Sequence, residues 1–257
     1  MNKDVSFWPI AAAVVLLSVL RPGGVAAQSF YDLPHLPPPI EYGGVLIDRM
    51  SSMNGQPAVT FSHWSHRMKY TCRVCHFELE FEMRVNATEI TEAENRGGKY
   101  CGACHDGKTA FGHTAENCGK CHTGKTVVSK EQFAKAVRSF PKGPYGNQID
   151  WVQTVAGGKI KPKQSIRDES YAPKPYNDAF ELKAAMAMIP PAVFSHEVHN
   201  RWLDCRNCHP DLFAIKRTLT QHFEMRYILE RKFCGACHLN VAFPLDDCKR
   251  CHAHPQN

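Results

Sequence analysis

The cysteines of this 257-residue chain follow one pattern throughout, and that pattern limits the possible folds more than any other feature. The 12 cysteines form six pairs, each with two residues between its members and a histidine directly after the second. The motifs are Cys72, Cys75 and His76; Cys101, Cys104 and His105; Cys118, Cys121 and His122; Cys205, Cys208 and His209; Cys234, Cys237 and His238; and Cys248, Cys251 and His252. Two thiols on one helical turn can form thioethers with the two vinyl groups of one haem, and the histidine can then face its iron. Because C-x-x-C-H is the attachment signature of c-type haem, the sequence predicts six covalently bound haems c.

Three other uses of paired cysteines fit the sequence less well. Zinc ribbons contain paired C-x-x-C motifs but do not require a histidine after every pair. Redox-active dithiols rarely occur six times in one chain, and a disulfide framework has no need of the histidine. Since haem attachment consumes every cysteine, we expect no disulfide bonds.

The motifs belong to an internal repeat of three plus three. An offset of 133 residues, without a gap, superposes residues 61–66 (FSHWSH) on 194–199 (FSHEVH), 72–76 on 205–209, and 101–105 on 234–238. The offset also superposes Arg73 on Arg206. The register then slips, because Cys118 follows His105 by 13 positions whereas Cys248 follows His238 by only 10. A repeat of this kind predicts two triheme modules.

The chain is therefore divided into four parts. Residues 1–27 are predicted to be a signal peptide, with Lys3, an apolar run over residues 5–20 and a V-A-A cleavage site. Residues 28–125 form an N-terminal triheme module that begins with a proline-rich arm, and residues 191–257 form a C-terminal triheme module. Residues 126–190 are a Pro/Gly/Lys-rich linker, with short helices predicted over 130–139 and 178–188. The apolar run is short for a membrane span, so no transmembrane span is expected in the mature chain.

The formal net charge of +6 would ordinarily suggest an anionic partner such as nucleic acid. Each haem brings propionates that offset basic side chains, so the charge of the loaded protein differs from that of the chain. A nucleic-acid partner is therefore not predicted.

Two histidines lie just upstream of the first motif of each repeat, and these four are candidates for second axial ligands. His63 and His66, like His196 and His199, lie three residues apart on one helical face. The order F-S-H-x-x-H, C-x-x-C-H, C-G-A-C-H and a third C-x-x-C-H resembles the triheme members of the class III multihaem cytochromes c, here duplicated. The resemblance implies that His63 serves the haem of His76, His66 that of His105, His196 that of His209 and His199 that of His238. It also implies a fold of mostly coil and short α-helices packed around haems, with little or no β-sheet.

The second ligand of the third haem in each module remains open. In the first module His113 and Met83 are candidates, and in the second His222 and Met225. Methionine more often fills apolar gaps, so the histidines are favoured. The two remaining histidines, which are not favoured as ligands although either could reach a neighbouring subunit, are His35 and His254.

About 38 residues of mature chain are available for each haem, too few to enclose every porphyrin separately. The haems are therefore expected to pack against each other. Haems with two protein ligands mainly carry electrons. The sequence predicts an exported, periplasmic or extracellular hexahaem cytochrome that relays electrons between redox proteins and is not an enzyme. The alternatives are a subunit of an extracellular cytochrome filament formed by self-assembly, a subunit of a membrane quinone-linked complex, and a multihaem reductase with an open third haem.

Overall fold

The structure is a computed structural model that describes residues 33–184, 186, 188–221 and 223–252. The predicted signal peptide over residues 1–27 lies outside the described residues. The candidate ligands His222 and His254 also lie outside them.

Short helices separated by coil make up most of the described chain. The α-helices are α1 (Arg49–Met53), α2 (His63–Arg67), α3 (Glu92–Arg96), α4 (Cys118–Cys121), α5 (Lys130–Ala136), α6 (Trp151–Ala156), α7 (His196–Asn200), α8 (Met225–Leu229), α9 (Gly235–His238) and α10 (Cys248–Cys251). A π-helical turn covers Val74–Glu78, and 3-10 turns cover Tyr100–Ala103, Ala115–Asn117, Cys205–Asn207 and Arg217–Leu219. Helices this short are not stable alone and depend on packing around them. The predicted fold of short helices and coil is confirmed.

Two small antiparallel hairpins precede the histidine-bearing helices. Strand β1 (Gly44–Ile47) pairs with β2 (Val59–Ser62), and β3 (Ala179–Leu182) pairs with β4 (Ala192–Ser195). Strand β2 leads directly into α2, and β4 leads directly into α7. The two hairpins therefore fix where α2 and α7, the helices that carry the predicted ligands, begin.

One of the two helices predicted between the modules forms, and the other does not. The side chain of Ser129 caps α5 by accepting a hydrogen bond from the Gln132 N–H, and α5 ends at Ala136. The helix predicted over residues 178–188 is wrong, because Ala179–Leu182 is strand β3. Pairing with β4 satisfies the backbone there, and this long-range pairing outweighs local helix preference.

Residues 126–190 contain a hydrophobic cluster of their own. Val137, Phe140 and Ile149 are buried together, and Phe133 packs against them. The ring of Phe133 also meets the buried Trp64 of α2 edge to face, at 5.0 Å between ring centroids. The segment after the third motif is thereby packed onto the helix that bears the first two predicted distal ligands.

Among the residues that the structure describes, none of the helices combines the length and the apolar character that a membrane crossing requires.

Candidate haem-attachment sites

Each cysteine pair lies on a single tight turn of backbone. In five motifs the N–H of the histidine donates to the carbonyl of the first cysteine, at 2.8–3.0 Å, which closes one helical turn around the pair. The motif at Cys72 instead runs into the π-helical turn Val74–Glu78. None of the twelve cysteines is paired in a disulfide. The two sulfurs of a motif are thus presented from one turn, as thioether formation with two vinyl groups requires.

Several of these thiols face the interior. Burial raises the pKa of Cys75, Cys234 and Cys237 to about 12 and that of Cys101 and Cys208 to about 11. A thiol in such a place is kept protonated by desolvation of its anion. Interior sulfurs suit thioether bonds to a large apolar ring. Among the described residues, no three or more His, Cys, Asp or Glu side chains form a group that could hold a lone metal ion.

Ten histidines are each held by the same kind of hydrogen bond, from the ring to a main-chain carbonyl. The Nδ1 atom of each lies 2.7–3.1 Å from a main-chain carbonyl oxygen. The ten are the six motif histidines together with His63, His66, His196 and His199. Because a carbonyl oxygen only accepts, Nδ1 carries the proton and Nε2 keeps its lone pair free for a metal. The same ten residues are the proximal and distal ligands predicted from the motifs and the resemblance.

The carbonyl acceptors match in position between the two modules, and in one of the two pairs the residue types differ. The acceptors for His63 and His196 are Gly43 and Asp178, each directly before the first strand of its hairpin. The acceptors for the third-motif histidines are Pro57 and Pro190, each two residues before the second strand. The hairpins therefore hold imidazole rings in orientation, a role that the sequence does not reveal because main-chain atoms perform it.

The remaining motif histidines are anchored by carbonyls just downstream, each from a phenylalanine. The acceptors for His76, His105, His209 and His238 are, in the same order, Phe81, Phe111, Phe213 and Phe243. The repeated phenylalanine four to six residues after the motif is a sequence signal that could have located these anchors.

Burial keeps five of the predicted ligands neutral. Desolvation lowers the pKa of His63 to about 3 and that of His238 to about 4, despite the carbonyl anchors, which act in the opposite direction. Desolvation also lowers the pKa values of His66, His76 and His199. A neutral imidazole is the form that binds a metal.

Three pairs of rings face each other at the separation that an iron between them requires. The first ring pair, His63 and His76, has centroids 6.4 Å apart with planes at 7°. The second, His66 and His105, has centroids 6.3 Å apart with planes at 46°. The third, His199 and His238, has centroids 6.2 Å apart with planes at 65°. Two metal–nitrogen bonds of about 2 Å, plus the distance from each Nε2 to its ring centroid, give about 6 Å. The residues therefore fit a haem iron held between two imidazoles, in three of the four pairings that the resemblance implies.

The fourth pairing that the resemblance implies is not brought together in the same way. His196 is anchored at the carbonyl of Asp178 and makes T-shaped contacts with the rings of Tyr176, Phe180 and Phe194. Its pairing with His209 stays a prediction.

The candidates for the third haem of each module also stay predictions. His113 lies in a surface groove with Arg96 and His105, and Arg96 donates to its main-chain carbonyl at 2.8 Å. Met83 is half-buried in coil, and Met225 is half-buried at the start of α8. His35, which is not favoured as a ligand, is exposed.

The glycine of C-G-A-C-H is explained by a close backbone approach. A Cβ at Gly102 would lie 1.7 Å from the carbonyl oxygen of Asn95 in α3, and one at Gly235 would lie 1.8 Å from that of Ile228 in α8. Asn95 and Ile228 are also related by the 133-residue offset. A short helix therefore packs directly on the second motif of each module, and only glycine leaves room for it.

Comparisons with known proteins matched one protein family and several solved structures. The family described as cytochrome c7 and related cytochrome c matches residues 59–123 and 192–253, once in each predicted module. None of the curated proteins compared matches the chain. Among solved structures, a c7-type three-haem cytochrome domain is 41% identical over 34% of this chain and 94% of its own, with a TM-score of 0.27.

Two longer structures were also matched. The C-terminal hexahaem fragment of GSU1996 is 26% identical over 86% of this chain and all of its own, with a TM-score of 0.27. The N-terminal hexahaem fragment of the same protein is 27% identical over 82% of this chain and 98% of its own, with a TM-score of 0.26.

The paired cysteine motifs and the two family matches lead to one conclusion about cofactor and family. The protein has six covalently bound haems c, and it is a multihaem cytochrome built from two consecutive triheme units. The chain belongs to the family of cytochrome c7 and related cytochromes c.

Proposed function

We propose that this protein is an exported electron relay in which the haems are mostly held by two histidines each. The observation that carries the proposal is the set of three ring pairs with centroids 6.2–6.4 Å apart. Haem iron supplies reversible one-electron chemistry, and two imidazole ligands leave it no open position for a substrate. That ligand set supports a relay rather than an enzyme.

The chain's own residues have three roles in this proposal. The twelve cysteines form the thioethers, and the six motif histidines are the proximal ligands. His63, His66, His196 and His199 are the distal ligands, oriented by carbonyls of the hairpin strands and of the residues directly before them. For the third haem of each module we propose His113 and His222, with Met83 and Met225 as the other candidates.

Spectroscopy of the intact holoprotein tests the ligand set. We expect a mass that includes six haems, a low-spin spectrum and no binding of carbon monoxide to the ferrous protein at neutral pH. The variant His199→Ala removes one member of the third ring pair, so one haem of the six should become high-spin and bind carbon monoxide. The exposed His35→Ala is the matched control and should leave the spectrum unchanged. A high-spin haem in the unaltered protein would instead favour a reductase with an open third haem.

Export and partners form the second part of the proposal. A periplasmic or extracellular location is supported by the signal-peptide pattern of residues 1–27, with maturation at Gln28. The partners would be other redox proteins or a quinone-linked membrane complex. Sequencing the N-terminus of the protein recovered from the periplasm and from the medium tests location. Recovery only from the cytoplasm with residues 1–27 intact would contradict export. Co-purification with membrane proteins would identify a quinone-linked complex, and filaments in micrographs would identify self-assembly.

A further inference from the structure

The first attachment motifs of the two modules are in direct contact. The N–H of Arg73, inside the motif at Cys72, donates to the carbonyl of Trp202 at 2.9 Å. The side-chain amide of Asn207, inside the motif at Cys205, donates to the carbonyl of His76 at 3.0 Å. The second bond ends on the main chain of a proximal ligand. The modules therefore meet at residues that bind cofactor.

Arg73 connects the two modules through its side chain as well. Its guanidinium contacts Glu78 at 2.5 Å and Asp204 of the second module at 3.2 Å. It also donates to the carbonyl of Gln164 at 3.1 Å. The side chains of Arg73 and Glu78 are only 8% and 4% exposed, so the pair is shielded from solvent. A buried ion pair of this kind fixes geometry because breaking it leaves an uncompensated charge.

The segment between the modules completes the enclosure of this ion pair. Glu78 accepts hydrogen bonds from the hydroxyl of Ser165 and from the N–H of Ile166. The guanidinium of Arg73 lies over the ring of Tyr171 at 3.7 Å and over that of Phe77 at 4.9 Å. A planar guanidinium held by a fork of hydrogen bonds and by ring faces has little freedom to move. Arg73 is consequently fixed from three sides.

The internal repeat shows that this burial does not come from the triheme module itself. Arg206 and Asp211 occupy the positions of Arg73 and Glu78 in the second module, and both are exposed. If the residues served only to fold one module, both copies would be expected to be enclosed. The burial of Arg73 and Glu78 is therefore a property of the contact between modules.

We propose that Arg73 is a positioning residue for electron exchange between the two modules, holding the motif at Cys72 against the motif at Cys205. The inference rests on the proposed relay function. In this proposal Arg73, together with Asp204 and Asn207, fixes the distance between the two cofactor-binding turns. Transfer between modules, not within them, depends on that separation.

The test uses the full-length holoprotein in partly reduced solution. Exchange spectroscopy on the haem methyl resonances measures electron exchange between modules and within each module separately. For Arg73→Gln we expect exchange between modules to slow by about tenfold or more, as misplacement on the order of 1 Å between reacting groups allows. Exchange within each module and the haem count by mass should not change. Asn207→Ala, which keeps the ion pair but removes the bond to His76, should act in the same direction.

The matched control is Arg49→Gln, which removes the same charge from an exposed ion pair of the first module, the one with Glu89. It should leave every exchange rate unchanged. If Arg73 has only a structural role, Arg73→Gln lowers the urea midpoint but leaves the rate of electron exchange between modules within twofold of that in the unaltered protein. That result overturns the proposal. If Arg73→Gln does not mature, the test is made with Asn207→Ala, and a rate of exchange between modules within twofold of that in the unaltered protein again overturns the proposal. Absence of exchange between modules in the unaltered protein would instead refute the relay function itself.

Discussion

Gly102 offers a sharp test of how the second haem motif is built. A Cβ there would lie 1.7 Å from the carbonyl oxygen and 2.7 Å from the carbonyl carbon of Asn95, whereas real Cβ contacts stay above about 3.0 Å. The turn and α3 must therefore separate by more than about 1 Å to admit a methyl group. α3 cannot yield easily, because the reciprocal hydrogen bonds of Thr91 and Glu94 cap it.

The expected cost of Gly102→Ala is about 3 kcal/mol of unfolding free energy, the upper part of the usual range for overpacking. Gly119 is the matched control, because it is the corresponding glycine of the third motif and a Cβ added there would meet no heavy atom within 4 Å. Gly119 lies in α4, where alanine is the better helix former by about 1 kcal/mol, so Gly119→Ala should be neutral or stabilising.

Urea unfolding of the two purified holoproteins measures the difference, and intact mass counts their haems. We expect Gly102→Ala to have a clearly lower midpoint, or to be recovered with five haems because its second motif is displaced. Gly119→Ala should retain six haems and the midpoint of the unaltered protein. Equal midpoints and equal haem counts for the two variants would refute the packing argument.

Three further predictions follow from the ring pairs and the buried ion pair. In electron paramagnetic resonance the first ring pair, whose planes lie at 7°, should give an ordinary rhombic low-spin signal. The third ring pair, whose planes lie at 65°, should give a signal of larger g anisotropy, because crossed imidazole planes split the iron d orbitals less. Identical signals from the two haems would contradict the geometry. Burial lowers the pKa of His63 to about 3 and that of His238 to about 4, so below the ordinary value of about 6.5 the unfolded chain binds more protons than the folded chain. The free energy of unfolding should therefore decline as pH falls from about 6.5 toward 3, and urea unfolding at a series of pH values measures it. Glu78→Gln should lower the unfolding free energy by about 3 kcal/mol in urea, because it removes the carboxylate partner of a buried guanidinium, and an unchanged midpoint would show that the ion pair contributes nothing.

The sequence predicts the chemistry of this protein far better than its architecture. Haem attachment is encoded in motifs of five consecutive residues, so the motifs indicate it without any tertiary information. The distal histidines are similarly local, and α2 places His63 and His66 in the ring pairs that the resemblance implies. The sequence pattern fails to predict secondary structure where long-range contacts determine it. Residues 179–182 form a strand and not the predicted helix, because β4 is available to pair with them.

The contact between the modules lies beyond sequence reasoning for the same reason. Arg73 and Arg206 occupy equivalent places in the repeat, and nothing local distinguishes them. Only the folded chain shows that Asp204 and residues 164–171 surround the first of them. Burial of a charged residue depends on partners distant in sequence, which a motif cannot specify.

The main-chain anchors of the ten histidines have a practical consequence for mutagenesis. An alanine scan removes side chains and leaves carbonyl oxygens in place, so scanning Asp178, Pro57 or Pro190 should report them as dispensable. Their contribution would become visible only through backbone chemistry, such as replacing the amide that follows with an ester, which weakens the carbonyl as an acceptor. The same independence from residue identity lets glycine in one half of the protein and aspartate in the other perform a single task.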